Sequence, residues 1–109
     1  MDSFIENFIV SQKNMTLCTS VNNIPECASC FYTFMPEGAY LIFKSKNTTG
    51  HVCRALANNK VAGTILPDIS KIGNIRGIQF SGVFLEPQED LLEKAKKIYY
   101  SKFPLALGI

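Results

Sequence analysis

The sequence predicts a single α+β domain whose antiparallel sheet curls into a small barrel. Three observations carry that expectation. Strand-like segments follow one another across turns too short for a crossover, so the first three strands form an antiparallel meander. Amphipathic helical stripes stand before, between and after the strands. A chain of 109 residues, 47% hydrophobic and 18% charged, builds one core and has no room for a second.

The elements follow in order. Ser3 and Glu6 have the capping-box spacing, and Phe4, Ile5, Phe8 and Ile9 recur on one helical face, which predicts a short helix over 3–12. Met15 to Val21 reads as a strand that ends at the turn pair Asn22-Asn23. A second strand covers 25–34. After the turn Met35-Pro36-Glu37-Gly38, Ala39 to Lys44 forms a third, nearly all apolar. Lys44 to Gly50 is polar and turn-prone. A helix begins near Thr49, with Val52, Cys53, Leu56 and Ala57 at helical period, and fades at Asn58-Asn59. Val61 to Leu66 is a fourth strand, Pro67 to Gly73 a loop, and 74–85 a fifth strand carrying Ile78, Phe80 and Phe84. Glu86-Pro87 starts the last helix. Its stripe of Leu91, Leu92, Ala95, Ile98 and Tyr99 runs to about Phe103, and Pro104 closes it.

Composition excludes several functions. The net charge of +2 is too small for nucleic acid, and the lysines are scattered apart from Lys94, Lys96 and Lys97 on one late helix face. Apolar runs such as Tyr40 to Phe43 fall far short of the ~20 residues of a membrane span. The N-terminus opens with an acidic residue and has no basic n-region, which argues against a secretory signal. The four cysteines, Cys18, Cys27, Cys30 and Cys53, are therefore read as reduced thiols of a cytoplasmic protein, and the Asn47-Thr48-Thr49 sequon as incidental.

The Cys27-x-x-Cys30 spacing suggests a redox dithiol or half of a metal site. On a strand, however, residues three apart point to opposite faces about 10 Å apart. Phe31, Tyr32, Thr33 and Phe34 mark a strand, so Cys27 sides with Ser29 and Phe31, and Cys30 with Ala28 and Tyr32. The two thiols neither close a disulfide nor share a metal there.

The turn from Phe43 to Leu56 is the most suggestive region chemically. A helix N-terminus offers free N–H groups and the positive end of a dipole, so an anion can sit there. Ser45, Thr48 and Thr49 add hydroxyls, and Lys44, Lys46 and His51 add possible charge. The plainer alternative is a threonine capping a soluble helix. Arg76 opens the fifth strand and either converges on the same anion or lies on the surface. His51, the only histidine, has no serine or cysteine partner in a recognisable catalytic motif. No carboxylate pair or P-loop is visible.

Taken in order, several short motifs resemble the pyridoxamine-phosphate-oxidase-like FMN-binding split barrels. They are Cys30-Phe31-Tyr32-Thr33-Phe34, the Ser45 to His51 turn, Ala62-Gly63-Thr64, Ile75-Arg76-Gly77-Ile78-Gln79-Phe80-Ser81-Gly82 and Lys102-Phe103-Pro104. Within that group the chain is most similar to the uncharacterised YhbP-like branch. The resemblance implies a split β-barrel with FMN held non-covalently at a homodimer interface. It puts Ser29, Cys30 and Phe31 beside the isoalloxazine, Lys44, Ser45, Thr49, Gly50 and His51 around the ribityl phosphate, and Arg76 near the flavin.

The chain departs from the oxidases at Ala28-Ser29 and Gly50-His51, where they carry cations. It also lacks tryptophan and the strand that usually follows the Phe-Pro helix, which implies a shortened variant or a fragment. Three functions are in play: an FMN-dependent oxidoreductase or flavin reductase, a non-catalytic module holding flavin, haem or another planar ligand, and a thiol or zinc protein using Cys27 and Cys30.

Overall fold

A computed structural model describes residues 1–68 and 77–107. Among these residues five antiparallel strands form one sheet of order β3-β2-β1-β4-β5: β1 (Asn14–Val21), β2 (Ile24–Met35), β3 (Tyr40–Phe43), β4 (Lys60–Ile65) and β5 (Ile78–Val83). The helices are α1 (Ser3–Ser11), α2 (Gly50–Ala57) and α3 (Glu89–Lys102), followed by a 3₁₀ turn at Pro104–Ala106. This is the predicted α+β class with a curled antiparallel sheet. The curl is visible at its edges, where the rings of Phe43, ending β3, and Phe84, just after β5, lie 6.1 Å apart.

Local chemistry explains the meander. Asn22 and Asn23 both adopt positive φ, 54° and 63°, as a type I′ hairpin turn requires and as asparagine tolerates. The two-residue turn sets Val21 opposite Ile24 and carries the ladder to Asn14 opposite Phe31. β2 then changes partner: Tyr32–Met35 pair with β3. That offset lets a single strand serve both halves of the curl. At the next turn Gly38 and Ala39 take φ of 83° and 54°, which delays the start of β3 to Tyr40; the strand runs Tyr40–Phe43 rather than the expected 39–44.

Met15, Leu17, Cys30, Tyr32, Phe34 and Ile65 form the core on the concave face, with Ile9 of α1 against them. Phe80 packs over Gly63, where a Cβ would stand 2.2 Å from the Thr16 carbonyl and 2.3 Å from the Phe80 ring. Only glycine allows that approach. α2 is tied to the sheet by Arg54, whose Nε donates to Thr19 Oγ1 at 2.9 Å and whose Nη1 pairs with Glu26 at 2.9 Å. α3 buries Ala95 and Tyr99.

Several boundaries differ from expectation for physical reasons. The cap of α1 is Asp2, whose Oδ1 accepts from Phe4 N at 2.7 Å and Ile5 N at 3.3 Å. The Ser3–Glu6 box is thereby displaced. Of the predicted α1 stripe, Ile9 is buried and Phe8 packs on the core, whereas Phe4 and Ile5 are exposed. α3 starts at Glu89, with φ +52°, because the chain stays extended through Gln88. Phe84 and Leu85 lie beyond β5. The expected start of that strand at 74–76, and with it Arg76, falls outside the described residues.

Candidate functional site

The half-barrel leaves its concave face open as a trough of about 680 Å³, within the size range of ligand pockets. Leu17, Phe34, Ile65 and Phe80 form its floor and walls, and Leu92 and Tyr99 of α3 flank it. On β1, β4 and β5 the lining pairs Met15 and Leu17, Val61 and Ile65, and Ile78 and Phe80 fall at even spacing, the period that gives a sheet one apolar face. The polar part of the rim is the segment after β3, where Lys44, Ser45 and Asn47 reach the lining.

That rim brings together much of the predicted phosphate turn. Ser45 Oγ and His51 Nε2 form a half-buried hydrogen bond of 2.7 Å, although no sequence motif pairs them. The Phe43 ring lies 6.1 Å from that of His51. Thr49 stands at the N-cap of α2, where its carbonyl accepts from Cys53 N at 3.0 Å while its side chain makes no cap bond. Its Oγ1 instead donates to the Lys46 carbonyl at 2.9 Å. Gly50 is exposed and opens α2. Lys44 Nζ donates to the Ala106 carbonyl at 3.1 Å and sits 5.2 Å from the centre of the Tyr100 ring.

The residues predicted beside a ring divide between two faces. Cys30 is buried in the core, where burial pushes its thiol pKa up. Phe31 is 57% exposed, with its ring 5.5 Å from that of Phe103. Phe31 and Lys44 follow the last pair of the β2–β3 ladder, Tyr32 opposite Phe43, and both turn towards the C-terminal end of α3. Ser29 lies on the face opposite Cys30, in a separate depression with Lys13, Thr16, Thr64 and Asp68.

Two arrangements escaped the sequence reading. Tyr32 is fully buried, donates from its hydroxyl to the Ile9 carbonyl at 2.5 Å and carries the Lys102 ammonium 4.6 Å from its ring centre. Lys102 also donates to the Gln12 carbonyl. Burial, with the Asp68 charge, pushes the Tyr32 phenol up, and burial pulls Lys102 below its ordinary value. The alternating strand pattern does not show that this inward tyrosine has a helix-end acceptor waiting for it. The other arrangement is a sulfur pair. Cys18 Sγ and Cys27 Sγ are 3.1 Å apart across the β1–β2 ladder. A two-residue turn at Asn22-Asn23 places position 18 opposite 27, so the signal was present in the turn.

Among the described residues no group of three His, Cys, Asp or Glu side chains is placed to hold a metal, and no helix is long and apolar enough to cross a membrane.

No family model matches the chain. A UPF0306 protein of Photorhabdus laumondii is 34% identical over 107 residues, covering 96% of this chain and 73% of that protein. One from Serratia proteamaculans is 35% identical over 104 residues, covering 94% and 71%. Among solved structures, the heme storage protein HutZ of Vibrio cholerae matches with a TM-score of 0.73 at 14% identity, over 94% of this chain and 75% of that one. A heme binding protein of Mycobacterium smegmatis matches with a TM-score of 0.77 at 15% identity, over 94% and 44%. At such identities the likeness is one of fold.

Proposed function

The chain belongs to the UPF0306 family, and we propose that it is a binding module for a planar, anionic ligand, with haem and flavin as the candidates. The observation that carries this reading is the open apolar trough with its polar rim at Lys44, Ser45 and Asn47. A flat aromatic body gains by leaving water for such a surface. Its carboxylate or phosphate would take the rim, near Lys44 and the N-terminus of α2. The two heme-named neighbours share this fold at low identity, which makes haem the first ligand to try.

A second reading keeps FMN as a redox cofactor. It is favoured by the turn itself, where Ser45, Thr49 and His51 gather at a helix N-terminus. Flavin would supply the hydride chemistry. The chain's part would be to place the phosphate and shield the ring.

We also propose that two copies assemble around the ligand. Val83 and Leu85, at and just beyond the end of β5, are 58% and 53% exposed, and β5 is an edge strand that a second copy could cover.

Absorbance titration with hemin and, separately, FMN tests these readings. Saturable uptake with a shifted ligand band supports the module. Oxidation of a reduced nicotinamide that depends on added FMN moves the reading to the oxidoreductase. If neither ligand perturbs its spectrum on mixing, the reading fails.

A further inference from the structure

Beyond the trough, the convex face of the sheet carries a second reactive arrangement. Cys18 and Cys27 are directly opposed in the β1–β2 register, with their sulfurs 3.1 Å apart. A disulfide needs an S–S distance of about 2.05 Å and Cα atoms about 4.4–6.8 Å apart. Directly opposed residues of an antiparallel pair lie about 4.5 or 5.5 Å apart, whichever pair type they form. The backbone is therefore already in bonding register, and a small side-chain rotation closes the gap. The type I′ turn between them, with both asparagines at positive φ, pins that register. Cys27 is exposed and Cys18 half-buried, whereas Cys30 is buried. Cys53 is also exposed, but it stands on α2, with its thiol donating to the Asn47 carbonyl at 3.4 Å.

We propose that Cys18 and Cys27 form a redox-active dithiol that reacts with low-molecular-weight disulfides, such as glutathione disulfide, to give a cross-strand disulfide. Cys27, the exposed member, loses its proton to solvent and attacks one sulfur of the reagent. The reagent's S–S bond breaks, one thiolate leaves and takes up a proton, and Cys27 is held as a mixed disulfide. Cys18 then loses its proton and attacks Cys27 Sγ, displacing the second thiolate. Two protein thiols are oxidised by two electrons, and one reagent disulfide is reduced to two thiols. The order follows from the site. The hydrogen bond with Cys27 is the main cause, ahead of burial, holding the Cys18 thiol above its usual range. Capping Cys27 removes the thiolate charge that also holds Cys18 up, and leaves Cys18 3.1 Å from the sulfur it attacks.

The test uses the intact chain in glutathione buffers of graded redox ratio, quenched with acid, alkylated and read by intact mass and peptide mapping. The wild type should accumulate a species lighter by two hydrogen atoms, with Cys18 and Cys27 linked and Cys30 and Cys53 still alkylated. The Cys18→Ser chain should instead accumulate a glutathione adduct on Cys27, because nothing resolves it. A wild type that keeps both thiols alkylatable in the most oxidising buffer overturns the proposal. So does one that ends as a stable Cys27 adduct without the linked species. The wild-type measurement decides even if the variant is unstable.

Discussion

The Tyr32 hydroxyl joins two elements that share no ladder, α1 and β2, through its bond to the Ile9 carbonyl. Removing it in Tyr32→Phe leaves a carbonyl without its donor inside the core, which costs about 1–3 kcal/mol. Denaturant unfolding at neutral pH reads that loss. The same group sets an alkaline limit. Its pKa is raised above the ordinary value of 10.0, so the folded state keeps a proton that the unfolded chain releases. The stabilisation is complete below pH 10 and is lost as pH rises beyond it. Lys102 acts in the opposite sense, because its pKa lies below 10.5 and its share of the stability rises as pH approaches that value. Tyr32→Phe should therefore lose less stability than the wild type between pH 9.5 and 11. Parallel curves for the two chains would contradict this assignment. At the rim, Lys44→Met should weaken uptake of a carboxylate- or phosphate-bearing ligand by about 1.5–3 kcal/mol, the worth of a charge-assisted bond. Ser45→Ala should weaken it less, with equilibrium titration reading both.

Among the elements, β4 rests on a close approach at Gly63. Gly63→Ala would drive a methyl group against the Thr16 carbonyl and the Phe80 ring. The expected cost is about 1–3 kcal/mol, through displacement of the β1 backbone at Thr16 as well as of Phe80, and thermal unfolding measures it. An unchanged midpoint would mean that Thr16 of β1 and Phe80 of β5 can both give way without penalty.

The strands were legible in the sequence because their chemistry is local. Alternating side chains and asparagine or glycine turns define β1, β2 and β3 to within a residue or two. The helix ends were less legible, since a cap depends on which of two adjacent acceptors reaches the amides. Asp2 reached them where Ser3 was expected. The apolar spacing of α1 marked a face but could not say how much of it the sheet would cover, and Phe4 is left exposed. Facing pairs require register as well as pattern. The Cys27-x-x-Cys30 spacing drew attention to two thiols on opposite faces, while the partner of Cys27 lay across the hairpin at Cys18. Ser45 and His51 meet because the loop between β3 and α2 folds back on the first turn of α2, a loop geometry with no motif to mark it.

At the scale of the whole molecule, the sheet curls far enough to bring Phe43 and Phe84 together, with the trough on the concave side. The trough and the hydrophobic core share residues such as Leu17, Phe34 and Ile65. A ligand bound there would stabilise the fold itself, by about 2.7 kcal/mol at a hundredfold excess over its dissociation constant. Melting temperature should accordingly rise with hemin or FMN, whichever binds.

Gly82 offers the most direct test of the trough as the binding site. It lines the trough, and a Cβ built on it meets nothing within 4 Å, so Gly82→Phe starts its ring from open space at the trough. Titration of hemin and FMN into wild type and Gly82→Phe, with the unfolding midpoint of each chain measured alongside, gives the result. A trough that holds the ligand predicts saturable uptake by the wild type and at least a tenfold loss of affinity, about 1.4 kcal/mol, in a variant that unfolds at the same midpoint. Equal affinity in the two chains would place the ligand elsewhere, and no uptake by the wild type would contradict the account.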